Sequence, residues 1–386
     1  VVRLEGGKRR ITKALAESPR IAIMSYQQVR GVVEELIDFM DKEEVHLVLD
    51  ESHRIKAGEN SLQGAASLAL SSHACRRDIL SGTPMPQGLP DLESQFKFLW
   101  PSLPVFRDIP PTATPQKQVE LANQLIRPLF VRTTKDELGL PKPKLHYQGI
   151  DMSSQQADTY ALLKSETARY LAGLIPEDKD QFRKIGKQVM RVLQFCSNPD
   201  LLRKSLRGLE EYGELFFQLE KLQKEVPEKT REVDELVRRI LGRQGEKVVI
   251  WSMFVDQIES LVEHFGEFGA TSIHGGVPTG PDDNTDFREG RIRLFKEDPN
   301  CRVLVANPSA CGEGISLHKT AHNAIYFDRS FNAAHFLQSI DRIHRRGLPQ
   351  DAETNVWVLF LNGTLEETVR DRLSTKIKAL QKLLDD

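Results

Sequence analysis

The sequence contains few cysteines, no long apolar run and almost no net charge. Four of its 386 residues are cysteines, and none belongs to a Cys-x-x-Cys pair or lies near a histidine at metal-ligand spacing. This spacing argues against a zinc site and favours reduced thiols over a disulfide framework. The sequence also lacks a run of about 18 apolar residues, which a membrane-spanning helix requires. We therefore predict neither a zinc centre nor a membrane span.

The formal net charge is -2, whereas proteins that bind nucleic acid non-specifically often carry a global excess of Lys and Arg. Any contact with nucleic acid must therefore be local. The stretch from Lys8 to Lys13 is one basic candidate, although a charged run is usually a solvated face. With 39% hydrophobic residues and this length, the chain is expected to form two globular domains.

Short apolar runs rich in β-branched residues recur, and each is followed by polar, Gly or Pro residues and then by a helical pattern. This alternation predicts an α/β fold with parallel sheets covered by helices on both faces. The predicted strands are Ile21–Met24, Val45–Leu49, Ile79–Leu80, Val248–Trp251, Val303–Ala306, Ala324–Phe327 and Val356–Leu361.

Two clusters of predicted strands are separated by a stretch with a different pattern. From about Gln155 to Arg243 the sequence is helical and charged, without a convincing strand. The proline-rich stretch from Leu99 to Pro115 should be irregular, because proline continues neither a helix nor a central strand. We predict an α/β domain at 1–145 with a helical and proline-rich insertion at about 91–130, a helical insertion and linker at 146–240, and a second α/β domain at 241–386.

The strand predicted at Val45–Leu49 ends in two adjacent carboxylates, Asp50 and Glu51, followed by Ser52 and His53. In nucleotide hydrolases an aspartate at such a position holds Mg²⁺ directly or through water, and the neighbouring glutamate orients or deprotonates the attacking water. An acidic pair after a strand also serves as a helix N-cap that complements the helix dipole. The pair alone does not decide between these interpretations.

The strand predicted at Ile79–Leu80 runs into the turn Ser81-Gly82-Thr83-Pro84. Ser81 and Thr83 place hydroxyl groups at its tip, where they could hydrogen-bond the acidic pair and couple hydrolysis to movement. Ser-Gly-Thr-Pro is equally an ordinary turn sequence.

A helical pattern places Gln338, Asp341, Arg342 and Arg345 at i, i+3, i+4 and i+7, which is one face. The opposite face carries an apolar stripe: Phe336, Ile340 and Ile343. A face with two arginines suits a cleft that holds a polyphosphate, because a guanidinium has a fixed charge and a planar fork that matches phosphate oxygens. The alternative is a solvated face with internal Asp-Arg pairs.

Five boxes occur in one order along the chain. They are Asp50 to His53, the Ser-Gly-Thr-Pro turn followed by Leu92 to Pro101, the stretch from Arg127 to Lys144, the turn Cys196 to Pro199, and Asp341 to Gly347. Together they resemble the Swi/Snf class of superfamily-two helicases and translocases. This resemblance implies two RecA-like parallel-sheet lobes with helical insertions. It also implies an ATP-driven double-stranded DNA translocase that uses Mg²⁺.

The same resemblance implies roles at the ATP site. The acidic pair looks like the Mg²⁺ ligand and the water-activating residue, and His53 and Gln87 look like coupling residues. Arg342 and Arg345 look like the arginines that the second lobe supplies. Three further residues are expected near the nucleotide: Gln338, Asp341 and Gly314.

A second set of residues is similar to the family's boxes near DNA. Ser25 and Tyr26 match the box of the first lobe, and the counterparts in the second lobe are Ser252, His274, Gly275, Ser309 and Gly312. A glycine lets backbone approach phosphate closely. Proteins of this kind hold the duplex backbone, so we expect binding that depends strongly on salt.

Two departures from the family pattern stand out. Pro308 occupies a position where the family commonly has threonine, which puts the DNA contact there in doubt. In addition, the sequence has no Gly-x-x-x-x-Gly-Lys-Ser/Thr phosphate loop; Gly6-Gly7-Lys8-Arg9 lacks both the loop length and the hydroxyl. Two explanations account for the missing phosphate loop. Either the sequence is a piece of a longer protein, with an incomplete first lobe, or it is a degenerate motor. The first residue, Val1, is not methionine, which favours the piece.

The sequence leaves other functions open. One is a strand-separating DNA or RNA helicase, and another is a catalytically inactive DNA-binding scaffold derived from such a motor. We expect double-stranded DNA, ATP and further subunits of a complex as partners, and no membrane. The expected location is intracellular: cytoplasmic for a bacterial protein, which we favour, and nuclear for a eukaryotic one.

Overall fold

The computed structural model describes residues 1–82, 89–131, 133, 137, 139–172, 179–311, 315–348 and 352–385. Four residues of the predicted sites lie outside the described residues: Thr83, Gln87, Gly312 and Gly314. The chain divides into two compact units. The first comprises Val1–Arg132 with Thr375–Asp386, and the second comprises Thr133–Ser374.

The first unit alternates short strands with helices. Its elements are β1 (Val2–Arg3), α1 (Lys8–Leu15), β2 (Ala22–Ile23), α2 (Tyr26–Val29), α3 (Val33–Met40), β3 (His46–Leu49), α4 (Leu62–Ser71), β4 (Arg76–Ile79), α5 (Pro90–Leu99) and α6 (Pro115–Ile126). In the described part of this unit, β1 pairs with β2 and β3 pairs with β4, each in parallel.

The end of β3 is fixed by a small apolar cluster. Leu49 at the end of the strand, Ile55 in the following 3₁₀ helix and Phe98 in α5 are all buried and pack together. Because these three residues come from three elements, the cluster anchors the loop that follows β3.

The second unit contains the remaining strands and most of the remaining helices. They are β5 (Lys144–Ile150), α7 (Ser154–Ala172), α8 (Lys179–Ser197), α9 (Pro199–Leu206), α10 (Gly213–Leu222), α11 (Glu228–Leu241), β6 (Val248–Trp251), α12 (Val255–His264), β7 (Ala270–Ile273), α13 (Arg288–Glu297), β8 (Val303–Ala306), β9 (Asn323–Tyr326), α14 (Ala333–Ile343), β10 (Asn355–Leu361) and α15 (Leu365–Asp385). The last helix enters the first unit after Ser374.

In the described part of this unit, six parallel strands form one sheet in the order β5-β10-β9-β6-β8-β7. Every residue of β6, β8 and β9 is buried, as expected for central strands of a parallel sheet. The helical stretch packs on this sheet, because Phe195, Leu215 and Val233 share one core with Val305 and Ile325.

The predicted α/β architecture is confirmed, and strands occur in all seven predicted places. The helical prediction for 155–243 is confirmed within the described residues, and 100–114 contains neither helix nor strand. Two strands that we did not predict, β5 and β7, lie at the two edges of the large sheet. The strand β5 is largely exposed and need not be an apolar run, which explains its polar sequence Lys-Leu-His-Tyr-Gln-Gly-Ile, whereas β7 is mostly buried but contains Thr and Ser. Within the described part of the chain, no helix is long and apolar enough to cross a bilayer.

Candidate functional site

An unusual backbone turn carries the acidic pair. Glu51 has φ 50° and ψ 51°, which is left-handed backbone, and it leads from β3 into the 3₁₀ helix Ser52–Ile55. A non-glycine residue in this conformation costs on the order of 1–3 kcal/mol. The surrounding contacts must therefore hold the turn in place.

Three hydrogen bonds hold this turn. The backbone N–H of Ser52 donates to the Leu80 carbonyl over 2.9 Å, and its buried hydroxyl donates to Gln95 Oε1 over 2.6 Å. The phenol of Tyr26 donates to the Asp50 carbonyl over 2.8 Å. The two residues that flank Glu51 are thus bonded to three other elements of the unit.

The structure brings together four of the predicted site residues at the ends of β3 and β4. Glu51 Oε2 lies 3.3 Å from Nδ1 of His53, and the hydroxyl of Ser81 lies 3.5 Å from the same nitrogen. Asp50 is adjacent, and its Oδ1 accepts the backbone N–H of Glu51 over 3.0 Å. The result is a strand-end cluster of two carboxylates, an imidazole and a hydroxyl.

The chemistry of this cluster fits Mg²⁺. Asp50 is exposed, and within the described residues its second carboxylate oxygen has no hydrogen-bond donor. Mg²⁺ is usually held by one or two carboxylates together with waters and substrate phosphates. The described residues contain no group of three or more acidic, His or Cys side chains that could form a complete protein cage. The exposed carboxylate of Asp50 can supply one oxygen ligand to Mg²⁺ whose other ligands are waters and phosphates.

The predicted first-lobe DNA residues lie next to this cluster. Ser25 is the N-cap of α2, and its hydroxyl accepts the Gln28 N–H over 3.4 Å. Tyr26 packs against the cluster of Leu49, and its hydroxyl reaches the Asp50 carbonyl. A single side chain thus joins the predicted DNA box to the acidic loop, a connection that the sequence did not indicate.

At the carboxyl edge of the large sheet, a buried carboxylate that we did not predict organises the neighbouring loops. Asp328 Oδ2 accepts the hydroxyls of Ser197 and Ser252, each over 2.7 Å, and Oδ1 accepts the Met253 N–H over 2.7 Å. Ser252 is completely buried, which counts against its predicted DNA contact. Asp328 could have been found from the sequence, because it follows the apolar run of a buried strand closely, as Asp50 does.

The other predicted DNA residues of this unit lie near the surface. His274 Nε2 donates to Glu259 over 2.6 Å, because its Nδ1 accepts the Gly276 N–H. Gly275 and Ser309 are exposed, and both the N–H and the hydroxyl of Ser309 donate to Asn307 Oδ1.

The prediction that Gln338, Asp341, Arg342 and Arg345 share one face of a helix is wrong. The helix α14 ends at Ile343, and His344 lies outside helical geometry with its ring bonded to the Pro141 carbonyl. Arg345 is therefore beyond the helix, where it is exposed. Arg342 is only 9% exposed, and one of its terminal nitrogens donates to the Ile315 carbonyl over 3.1 Å. Gln338 and Asp341 are partly buried, and the apolar stripe of this helix is buried as predicted.

A parallel strand that ends in an Asp-Glu pair, with a histidine and a serine hydroxyl beside it, is the arrangement expected of a helicase-like ATPase. The particular family follows from the sequence comparison. The model of the SNF2-related domain matches residues 2–201, and that of the helicase conserved C-terminal domain matches residues 228–347. The chain belongs to the SNF2-related family, and its described strands and helices form an α/β fold.

Curated relatives include plant and bacterial proteins. The chain is 28% identical over 341 residues to the CHD3-type chromatin-remodeling factor CHR7 of Arabidopsis thaliana, covering 86% of this chain and 26% of the relative. It is 26% identical over 405 residues to the DNA excision repair protein CSB of Oryza sativa, covering 97% and 31%. It is 28% identical over 357 residues to the putative ATP-dependent helicase/translocase YwqA of Bacillus subtilis, covering 86% and 34%. The chain thus spans about a quarter to a third of these relatives.

Proposed function

We propose that the protein that carries this chain hydrolyses ATP and uses the energy to move along double-stranded DNA. The observation that carries this proposal is the strand-end cluster of Asp50, Glu51, His53 and Ser81 in the first unit. The names of its relatives, which include chromatin-remodeling factors and a putative helicase/translocase, support a DNA motor.

Each residue of the cluster has a separate task. Asp50 would hold Mg²⁺, which neutralises charge on the phosphates when it is bound with ATP. Glu51 orients the attacking water and accepts its proton. His53 fixes the Glu51 carboxylate through Nδ1, and Ser81 reaches the same nitrogen, so a shift of the turn that holds Ser81 would alter the position of Glu51.

In the second unit we assign the arginine roles unequally. Arg345 is exposed and would provide the positive charge that stabilises the transferred phosphoryl group. Arg342 is buried and donates to the Ile315 carbonyl, so its task is to position the segment between β8 and β9. We propose that Gln338 and Asp341, which are partly buried on α14, lie near the nucleotide.

We propose that Ser25, Gly275 and Ser309, which are all exposed, contact the sugar-phosphate backbone of the duplex. Tyr26 transmits this contact, because its hydroxyl is bonded to the Asp50 carbonyl. Contacts to phosphate rather than to bases predict binding that is independent of sequence and weakens steeply with salt.

The test uses the full-length protein that carries this chain and measures ATP hydrolysis with and without duplex DNA. DNA should stimulate the wild type. Glu51→Gln should lower the rate by about 10²–10⁴-fold through loss of the general base, and Arg345→Ala by about 10³-fold or more. Glu59→Gln is the matched control, because Glu59 is an exposed residue of the same unit that pairs with Lys97.

Two assays separate the alternatives. Displacement of a triplex-forming strand without unwinding of the duplex supports translocation, whereas unwinding identifies a strand-separating helicase. DNA binding with no ATP turnover in the wild type identifies an inactive scaffold. Unchanged turnover in both Glu51→Gln and Arg345→Ala would contradict the assignment of the site.

A further inference from the structure

Arg329 is a buried cation whose guanidinium forms no ion pair or hydrogen bond with an acidic residue that the structure describes. It follows β9 at the carboxyl edge of the large sheet and is 9% exposed. Within the described part of the chain, no hydrogen bond or ion pair engages its guanidinium, and the centre of the Phe336 ring lies 5.4 Å from the guanidinium carbon. Burial lowers the pKa of Arg329 from its usual value, but an arginine remains protonated in proteins.

Such a side chain is unfavourable for folding unless something completes its hydrogen bonds. A guanidinium has five N–H donors, and burying a charge without a partner destabilises the folded state. The nearest acidic residue in sequence, Asp328, does not satisfy Arg329, because both of its carboxylate oxygens accept other donors. Glu366 is likewise bonded to Lys229.

Arg329 lines an open cavity of about 300 Å³. The cavity lies at the ends of three adjacent strands, and its polar lining includes Asn307, Ser309, Ser330 and Asn332. This volume is at the lower end of the range for small-molecule sites. It suits a phosphate group with part of its ester substituents better than a complete nucleotide.

Asp328 also lines the cavity, but its oxygens accept hydrogen bonds from Ser197, Ser252 and Met253, and other parts of the wall favour an anion. Asn332 is the N-cap of α14 and lines the cavity; its Oδ1 accepts the Ala334 and His335 N–H groups, so the helix contributes the positive end of its dipole. The Ser330 hydroxyl accepts the Asn332 N–H, and its own proton is donated to no residue in the described ranges. Arg329 and Ser330 therefore offer donors toward the same space.

We propose that Arg329, Ser330 and the N-terminus of α14 form a phosphate-binding subsite, and that its ligand is a backbone phosphate of DNA. This inference rests on the proposed function, because it assigns the subsite to the duplex. A phosphate of a free nucleotide has the same chemistry, so the two sources are separated by experiment. Neither Arg329 nor Ser330 was among the residues predicted from the sequence.

The first experiment measures the affinity of the full-length protein for duplex DNA by fluorescence anisotropy. The measurement is repeated across a series of salt concentrations. Arg329→Met should weaken binding about tenfold at low salt and reduce the slope of log affinity against log salt by about 0.9, the value for one lost phosphate contact. Arg329→Lys keeps the charge but not the planar fork, so it should retain the slope and lose part of the affinity. Arg293→Met is the control, because Arg293 is an exposed arginine of the same unit that pairs with Glu297.

Thermal unfolding separates a ligand-binding role from a structural one. Without ligand, Arg329→Met should unfold at the wild-type temperature or above it, because the substitution removes an unpaired buried charge. Inorganic phosphate should raise the unfolding temperature of the wild type, compared with chloride at equal ionic strength, but not that of Arg329→Met. A variant that unfolds well below the wild type, or that responds equally to phosphate, would overturn the proposal.

The source of the phosphate is tested with a fluorescent ADP analogue. We expect Arg329→Met to bind it as the wild type does, while duplex binding weakens. Weakened ADP binding with unchanged duplex binding overturns the assignment to DNA. The thermal unfolding experiment with inorganic phosphate requires neither DNA binding nor ATP hydrolysis. Failure of the proposed subsite can therefore be told apart from failure of the proposed function.

Discussion

Removing Lys229 should destabilise the second unit far more than removing a surface cation. Lys229 on α11 is 1% exposed, and its Nζ lies 2.6 and 2.8 Å from the two oxygens of Glu366 at the start of α15. The same Nζ lies 3.2 Å from the Cys196 carbonyl near the end of α8. One ammonium group therefore joins three helices.

The size of the effect follows from burial. Lys229→Met leaves the Glu366 carboxylate buried without its cation, a change that costs about 3–5 kcal/mol. Adding Glu366→Gln removes that charge while the amide oxygen still accepts the Leu361 N–H, so the double variant should recover most of the loss. Arg231→Met on the same helix breaks an exposed pair with Glu228 and should change stability by less than about 0.5 kcal/mol.

The assay uses the distribution of tryptophan. Trp100 lies in the first unit, whereas Trp251 and Trp357 lie in the second. In a Trp100→Phe background, fluorescence during urea unfolding reports on the second unit alone. Arg231→Met should unfold at the same urea concentration as the wild type. The double variant should unfold at a slightly lower urea concentration, and Lys229→Met at a much lower one.

The pH dependence provides a separate check. Burial raises the pKa of Glu366, and the charge of Lys229 opposes that rise. Without Lys229, the pKa of this carboxyl rises further in the folded state. Lys229→Met should therefore lose stability as the pH rises from about 4.3, the unfolded value, through the raised folded pKa. Two results would refute this reasoning. One is a decrease in the free energy of unfolding of Lys229→Met of less than about 1 kcal/mol at pH 7, and the other is a difference in this free energy from the wild type that does not become smaller in acid.

Three further outcomes are expected. Tyr26→Phe removes the hydrogen bond to the Asp50 carbonyl and should lower the kcat of DNA-stimulated ATP hydrolysis severalfold with little change in the KM for ATP; an equal loss without DNA would contradict a coupling role. Ser52→Ala removes the buried hydrogen bond to Gln95 and should cost about 1–2 kcal/mol by urea unfolding of the first unit followed through its tryptophan; no change would show that the bond is unimportant. Cys75 is the exposed cysteine, so a thiol reagent should modify one thiol in the native chain and four in urea; fast modification of a second would contradict the burial of the other three.

The central strands could be predicted because burial on both faces leaves a continuous apolar run in the sequence. Val248–Trp251 and Val303–Ala306 were predicted with the bounds that the structure shows. The edge strands could not be predicted in this way: Lys144–Ile150 is largely exposed and polar, and Ala270–Ile273, although mostly buried, contains Thr and Ser, which interrupt an apolar run.

The candidate site was partly readable for a similar reason. Asp50 and Glu51 follow an apolar run directly, so their place at a strand end was predictable. The left-handed backbone of Glu51 leaves no pattern in the sequence, because it is imposed by contacts with distant residues such as Leu80. The end of α14 was missed because i, i+3, i+4 spacing continues into Arg345, although the helix itself stops at Ile343.

The pairing of β5 with β10 has a consequence for synthesis of the chain. Lys144 is opposite Asn355 in this parallel pair, 211 positions later in the sequence. At about 5–20 residues per second, a ribosome needs roughly 10–40 s to make the intervening chain. During that time β5 has no partner, and the edge of β9 that β10 will cover is open from the synthesis of Asn323, 32 positions before Asn355. The large sheet is thus completed late, and the nascent chain depends on protection from aggregation until β10 emerges.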